Sequence, residues 1–122
     1  MVWGDKKMKP KIGLALGAGS ARGLAHIGVL KAFTEEGIQI DYLAGTSIGS
    51  IIGGFYAVGI DLHMLEQLAI HLKWEHLNDI TVPRKGLMSG KKVKDFFKLL
   101  TKSKKFDQLD LPFATVAVDI EQ

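Results

Sequence analysis

The 122-residue sequence predicts an α/β fold built on a parallel sheet. Short apolar segments alternate with segments of helical periodicity, and glycine clusters separate them. The short segments are apolar at nearly every position, which is typical of strands buried on both faces of a parallel sheet. With 47% hydrophobic and 24% charged residues, the composition is that of one globular domain and excludes a disordered chain.

The first segments define a strand, a loop and a helix. A polar lead-in over residues 1–10 precedes the first strand, 11–16 (KIGLAL), and a tight glycine loop, 17–23 (GAGSARG). Apolar residues at helical spacing then predict a helix over 24–36. Gly37 is placed to end that helix, because glycine readily adopts the left-handed backbone of a C-terminal cap.

The next segments repeat this order. Residues 38–44 (IQIDYLA) predict the second strand, and 45–49 (GTSIG) a second tight turn. The apolar segment 51–58 predicts a helix stopped by Gly59. Asp61 is a suitable N-terminal cap for a third helix, which runs to residue 73. Its apolar stripe comprises Leu62, Leu65, Leu68, Ala69 and Leu72.

The last third of the sequence contains one more helix and one more strand. Residues 74–88 predict an irregular connection with Pro83 and Gly86. Ser89 can cap a fourth helix over 91–100, and 113–120 (FATVAVDI) predicts the third strand. The apolar face of the fourth helix comprises Val93, Phe96, Phe97 and Leu100.

Several classes of protein are excluded by what the sequence lacks. Without cysteine it has no disulfide framework, no thiol nucleophile and no cysteine zinc site, and the four histidines do not indicate a metal site. The first residues lack the apolar segment of a secretory signal, and no run of about 18 apolar residues could span a bilayer. We therefore expect a cytoplasmic location.

The segment Gly45-Thr46-Ser47-Ile48-Gly49 has the G-x-S-x-G form of a nucleophile elbow. A nucleophilic serine needs a sharp turn between strand and helix, and the flanking glycines allow the backbone to approach closely there. The helix that follows directs free N–H groups at developing negative charge. The alternative is an ordinary glycine turn in which Ser47 only caps the helix.

The loop 17–23 also follows a strand and opens a helix, so its backbone N–H groups can bind an anion. As an oxyanion hole it would lie beside Ser47 and use Gly17, Ala18, Gly19, Arg22 and Gly23. Arg22 could equally be a surface salt-bridge residue. A dinucleotide-binding loop is a second alternative, but it needs glycine at position 22, and Asp41 lies at the wrong end of its strand to bind a ribose.

Residues 84–105 contain nine basic residues and one acid, a local charge of +8 against +3 for the whole chain. This basic amphipathic segment can dock on an anionic membrane, or it can be a solvated lysine face over an ordinary core helix. Nucleic acid is not expected, because no binding module is present. His26 lies close to the loop 17–23, which it could support, although a packed helix histidine is the simpler interpretation.

The two glycine motifs together, about 25 residues apart, resemble the patatin-like phospholipase family. The similarity is densest over residues 14–59 and includes KGLMSGKKVKDFF (85–97) and FATVAVDIEQ (113–122). The resemblance implies a three-layer α/β fold and a serine lipid acyl hydrolase with a Ser–Asp dyad and no cofactor. Ser47 matches the nucleophile, and the loop 17–23 matches the oxyanion motif.

In this family the dyad aspartate lies in an Asp-Gly motif well downstream, and this sequence contains no Asp-Gly pair. We therefore expect residues 11–122 to be the N-terminal part of a patatin-like domain, truncated before the base, with exposed apolar faces. Asp119 is a weak substitute for the base. Two alternatives remain open: a catalytically inactive lipid-binding or regulatory module, and a nucleotide-binding oxidoreductase.

Overall fold

The computed structural model describes residues 8–71 and 90–121. Three parallel strands form one sheet in the order β1 (Gly13–Leu16), β2 (Tyr42–Gly45) and β3 (Phe113–Thr115). The described helices are α1 (Ala25–Glu35), α2 (Ile48–Ala57), α3 (Leu62–His71) and α4 (Gly90–Leu100), with short 3-10 turns at Ser20–Leu24 and Phe106–Gln108. The predicted α/β fold with a parallel sheet is confirmed.

One face of the sheet carries the core. The strand order follows the chain, and right-handed crossovers then place successive connections on the same face. Accordingly, α2 packs against all three strands, and its Ile52 is buried together with Leu16 of β1 and Leu43 of β2. The end of α1 and the start of α3 match the predictions: Gly37 has a φ of 66° and ends α1, and the Asp61 carboxylate accepts the Met64 N–H at 3.0 Å.

The opposite face of the sheet is not covered by the described residues. Ala15, Ala44 and Ala114 form one row across the three strands, and all three are exposed. Tyr42 lies on the same face and is half exposed. Here a shallow apolar groove of about 430 Å³ runs along the strands. The described chain thus contributes two layers of the expected three-layer arrangement.

All three predicted strands are too long, and the first begins at Gly13 rather than at residue 11. The ladder between β1 and β2 starts at Tyr42 because the Asp41 carboxylate accepts the Ile12 N–H at 2.8 Å, so residues 38–41 are not strand. At the other end, Gly45 pairs with Thr115 and the chain then turns into α2. Residues 116–120 therefore have no neighbouring strand among the described residues, and Val118 is 84% exposed.

The remaining differences lie at the turns. Helix α2 begins at Ile48 rather than residue 51, and the second half of the loop 17–23 is a 3-10 turn. In α4, Phe97 and Leu100 are partly buried as predicted, whereas Phe96 is 42% exposed. The following predictions lie outside the described residues: Leu72, the end of the third helix at residue 73, the connection 74–88, Ser89 and the side chain of Val93.

Candidate active site

Ser47 lies on the turn between β2 and α2, at the carboxyl edge of the sheet. Its backbone has φ 55° and ψ −125°, a conformation that costs a non-glycine residue about 1–3 kcal/mol. The side chain is exposed, and its hydroxyl makes no capping hydrogen bond to α2. The alternative in which this serine serves as a helix cap therefore lacks its hydrogen bond, and the hydroxyl faces outward from a strained turn.

The two glycines of the turn are required by close backbone contacts. A β carbon on Gly45 would overlap the carbonyl group of Gly49, and one on Gly49 would overlap the carbonyl of Leu16. Both glycines are buried, whereas Thr46 is exposed like Ser47. The predicted reason for this composition, close approach of the backbone around the serine, is what the structure contains.

The loop 17–23 lies beside this turn because Leu16 and Gly45 are partners in the sheet. The Thr46 N–H donates to the Leu16 carbonyl at 3.0 Å, which ties the turn to the end of β1. Gly23 is buried against Ile48, where a β carbon would overlap the isoleucine side chain. The start of α2 and the end of the loop are therefore packed directly on each other.

Several backbone N–H groups at the carboxyl edge of the sheet are available to bind an anion. Within the described ranges, no acceptor bonds the N–H groups of Ala18, Gly19 or Ile48. By contrast, the Gly49 N–H is bonded to the Thr46 carbonyl at 3.0 Å, and the Ser50 N–H to the Ser47 carbonyl at 2.8 Å. The Ile48 amide is also the first of α2, where the positive end of the helix dipole lies.

Arg22 is exposed, in the 3-10 turn of the loop. Its backbone N–H donates to the Gly19 carbonyl at 3.1 Å and closes the turn. Over residues 8–71 and 90–121, no carboxylate lies within ion-pair distance of its guanidinium. The surface salt bridge that was the alternative for this arginine is thus not formed with the described residues.

Of two further contacts at the site, the first agrees with one of the two interpretations left open for His26, and the second was not predicted from the sequence. The His26 ring reaches back to the loop, with Nε2 at 2.8 Å from the Gly17 carbonyl oxygen. Ser50 and Thr115 share a hydrogen bond between their hydroxyl oxygens at 2.5 Å, which joins the first turn of α2 to the end of β3. Only the position of His26, one turn into α1, gave any signal.

Two other candidate carboxylates are each bonded to a backbone N–H. Asp41 lies at the amino end of β2, opposite the glycine loop, and its carboxylate is bonded to the Ile12 N–H. The Asp119 carboxylate accepts the Glu121 N–H at 3.0 Å in a local turn. In the part of the chain that the structure describes, no three histidine or acidic side chains converge as metal ligands would.

The fold and this edge define a class of α/β proteins that present a serine on a strained strand–helix turn beside a glycine loop. More specifically, the family model for patatin-like phospholipase matches residues 14–121. The chain belongs to the patatin-like phospholipase family.

Individual relatives agree with this assignment. A patatin-like phospholipase domain-containing protein of Caenorhabditis elegans is 38% identical over 115 residues, which is 89% of this chain and 8% of that protein. The lysophospholipase NTE1 of Kluyveromyces lactis is 44% identical over 85 residues, 65% of this chain and 6% of its own length. An NTE family protein of Mycobacterium tuberculosis is 35% identical over 114 residues, 91% of this chain and 31% of that protein. The chain thus spans less than a third of each of these relatives.

No helix among the described residues has the length and apolar character needed to cross a membrane.

Proposed function

We propose that this protein hydrolyses an acyl ester of a lipid, with Ser47 as the nucleophile. The observation that carries the proposal is an exposed serine hydroxyl on a strained turn, unused as a helix cap, beside free N–H groups of the loop 17–23 and of α2. Relatives named as a lysophospholipase and as a patatin-like phospholipase domain protein support a lipid substrate. Family membership supports the same class of reaction.

In the proposed reaction, Ser47 Oγ attacks the ester carbonyl carbon and loses its proton to a base. The carbonyl oxygen becomes an oxyanion, which the N–H groups of Ala18, Gly19 and Ile48 stabilise. The carbon–oxygen bond to the leaving group breaks, the leaving alcohol takes up the proton, and an acyl-serine remains. Water then attacks the acyl-serine, releases the fatty acid and returns the proton to Ser47.

We propose that the base is the aspartate of a Ser–Asp dyad, supplied by an Asp-Gly motif that these 122 residues do not include. A serine hydroxyl is a weak nucleophile without a positioned base. Asp119 is a poor substitute, because its carboxylate is engaged by the Glu121 N–H in a local turn. On this proposal residues 11–122 are the N-terminal part of the catalytic domain, and no cofactor takes part.

We further propose that the protein meets its lipid at an anionic membrane surface, from the cytoplasmic side. Five exposed lysines lie on α4 and in the segment that follows it: Lys94, Lys98, Lys102, Lys104 and Lys105. Exposed apolar side chains lie among them, with Leu99 77% and Phe106 59% exposed. Lysines with interspersed apolar groups are the composition that anionic lipid surfaces bind.

The test of the proposed reaction is covalent labelling of the full-length protein by a fluorophosphonate probe, together with hydrolysis of p-nitrophenyl acyl esters. We expect Ser47→Ala to abolish both. Ser103→Ala is the matched control, because Ser103 is also exposed and has φ 55° but lies in the turn after α4. Labelling that persists in Ser47→Ala would refute the assignment of the nucleophile.

Two further measurements, vesicle binding and calorimetry, separate the two alternatives. A lipid-binding or regulatory module without catalysis would bind lipid vesicles but show neither labelling nor ester hydrolysis in the parent protein. A nucleotide-binding oxidoreductase would bind NAD(P) in calorimetry with an affinity that Ser47→Ala leaves unchanged.

A further inference from the structure

A partly buried histidine on α1 anchors the glycine loop. His26 Nε2 lies 2.8 Å from the carbonyl oxygen of Gly17, nine residues earlier in the chain. A carbonyl oxygen only accepts hydrogen bonds, so Nε2 must carry the hydrogen and donate it. Gly17, Ala18 and Gly19 belong to no helix or strand, and all three are exposed. The histidine therefore supplies a fixed point to a stretch of loop that has no regular backbone pairing of its own.

This bond fixes the direction of an N–H group as well as that of a carbonyl. The Gly17 carbonyl and the Ala18 N–H belong to one planar trans peptide unit, in which the two groups point in opposite directions. Holding the carbonyl toward His26 consequently turns the Ala18 N–H away from it. That N–H has no acceptor among the described residues, so it is available to an incoming oxyanion.

The same carbonyl is also confined from the side of α2. A β carbon built on Gly49 would lie 2.8 Å from the Gly17 oxygen, so the oxygen sits directly against the first turn of α2. The same oxygen is bonded to the His26 ring on α1. The Gly17 carbonyl thus contacts both the ring and the first turn of α2, and rotation of this peptide would break the hydrogen bond to His26.

We propose that His26 is a positioning residue that orients the Gly17–Ala18 peptide, so that the Ala18 N–H faces the oxyanion formed at Ser47. The inference rests on the proposed esterase function and adds one residue to it. His26 makes and breaks no covalent bond and keeps its Nε2 hydrogen throughout. Its effect is on transition-state stabilisation, because the oxyanion exists only after the attack.

The test compares two replacements of His26 in the full-length protein. His26→Phe keeps an aromatic ring but removes the donor, while His26→Gln keeps an N–H donor at a similar reach. Loss of one oxyanion-hole donor costs about 100- to 1,000-fold in kcat, so we expect a misdirected donor in His26→Phe to lower kcat for an aryl ester by about ten-fold or more. KM should change little, and His26→Gln should recover most of the loss.

His71→Phe is the matched control. His71 is also a helical histidine whose ring nitrogen lies near a backbone carbonyl, Gln67 O at 2.7 Å, but this carbonyl belongs to its own helix α3 rather than to the loop. We expect its kcat to equal that of the parent protein. An unchanged kcat in folded His26→Phe, or an equal loss in His26→Gln, would overturn the positioning role.

A second measurement does not depend on activity. The ring nitrogens of His26, observed by long-range proton–nitrogen NMR, should show the tautomer with hydrogen on Nε2, and the amides of Gly17–Gly19 should become more mobile in His26→Phe only. The opposite tautomer with unchanged loop mobility would overturn the proposal. If instead Ser47→Ala keeps full labelling, the proposed function fails, while the NMR result still decides whether His26 holds the loop.

Discussion

Gly49 lies so close to the carbonyl oxygen of Leu16 that no β carbon fits between them. The contact joins the first turn of α2 to the end of β1 and brings the two glycine loops together at one edge of the sheet. Because the obstructing atoms are backbone rather than a flexible side chain, the structure can relieve an added methyl group only by moving a strand or a helix.

We therefore predict that Gly49→Ala destabilises the fold by about 3 kcal/mol, measured by guanidinium unfolding. Gly28→Ala is the control: Gly28 lies inside α1 with open space around its β position. There alanine should stabilise by about 1 kcal/mol, since it is the better helix former. Equal effects at the two positions would contradict the close contact at Gly49.

The backbone strain at Ser47 predicts an unusual preference for glycine. Its φ of 55° and ψ of −125° favour a residue without a β carbon. Since Ser47→Gly and Ser47→Ala both remove the hydroxyl, the difference between them isolates the strain. We expect the glycine variant to be more stable by about 1 kcal/mol in chemical unfolding.

Ser50 provides the opposite case three residues later. It lies within α2 with ordinary helical geometry, and either replacement removes its hydrogen bond to Thr115. Here alanine should be more stable than glycine by about 1 kcal/mol. If the alanine variant were more stable than the glycine variant at both positions 47 and 50, the turn at Ser47 would not be strained.

The sharp turn from Gly45 to Gly49 could be predicted from the sequence because its causes are local. Two glycines lie four residues apart, on either side of a serine and between an apolar strand and an apolar helix. This arrangement allows few backbone conformations, and the structure adopts one of them from Gly45 to Gly49. Helix ends were predictable for the same reason. Asp61 and Gly37 act on neighbouring N–H and carbonyl groups within a few residues.

Strand lengths could not be predicted, because a strand ends where its neighbour ends. Residues 113–120 are apolar at most positions, but the partner strand leaves the sheet after Gly45, so pairing stops at Thr115. Nor does helical periodicity decide what a ring nitrogen binds. The bond from His26 to Gly17 depends on the path of an irregular loop, which the spacing of apolar residues does not specify.

The ion pair between α1 and α3 predicts a stability change at high pH. Lys31 Nζ lies 2.9 Å from Glu66 Oε2, and this hydrogen bond raises the pKa of Lys31 above its ordinary value of 10.5. The pKa of Lys31 is higher in the folded protein than in the unfolded chain. The charged lysine therefore stabilises the fold at pH values below its unfolded pKa, and this stabilisation is lost as the pH rises through its folded pKa. Glu66→Gln should therefore lower the midpoint of guanidinium unfolding at pH 8. The difference in midpoint between this variant and the parent protein should shrink above pH 10.5.

Glu35→Gln is the control for this pair. Glu35 raises the pKa of Lys31 through its charge alone, without a hydrogen bond, and its effect is smaller than that of Glu66. The change in midpoint should therefore be smaller than for Glu66→Gln at pH 8. A difference between parent and Glu66→Gln that stays constant from pH 8 to pH 11 would show that the Lys31 charge does not mediate it.

The lysines of α4 predict salt-dependent binding to anionic vesicles. Each lysine near such a surface contributes about 1 kcal/mol, which corresponds to about five-fold in affinity. Replacing both Lys94 and Lys98 by glutamine should therefore weaken binding to phosphatidylserine-containing vesicles by about 25-fold in a flotation assay at about 0.1 M salt. Vesicles of phosphatidylcholine alone should bind both proteins weakly, because they carry no net charge.

The control removes the same charge elsewhere. Lys9 and Lys11 are exposed before β1, outside the basic segment 84–105, and their double replacement by glutamine also lowers the net charge by two. If docking occurs through α4, this variant should keep most of the parent's affinity, because attraction to the surface falls off within a Debye length of about 10 Å. An equal loss in both double variants would mean that net charge, rather than the face of α4, drives binding. If the affinity for the vesicles did not fall when salt was added, binding would instead occur through the exposed apolar side chains Leu99 and Phe106.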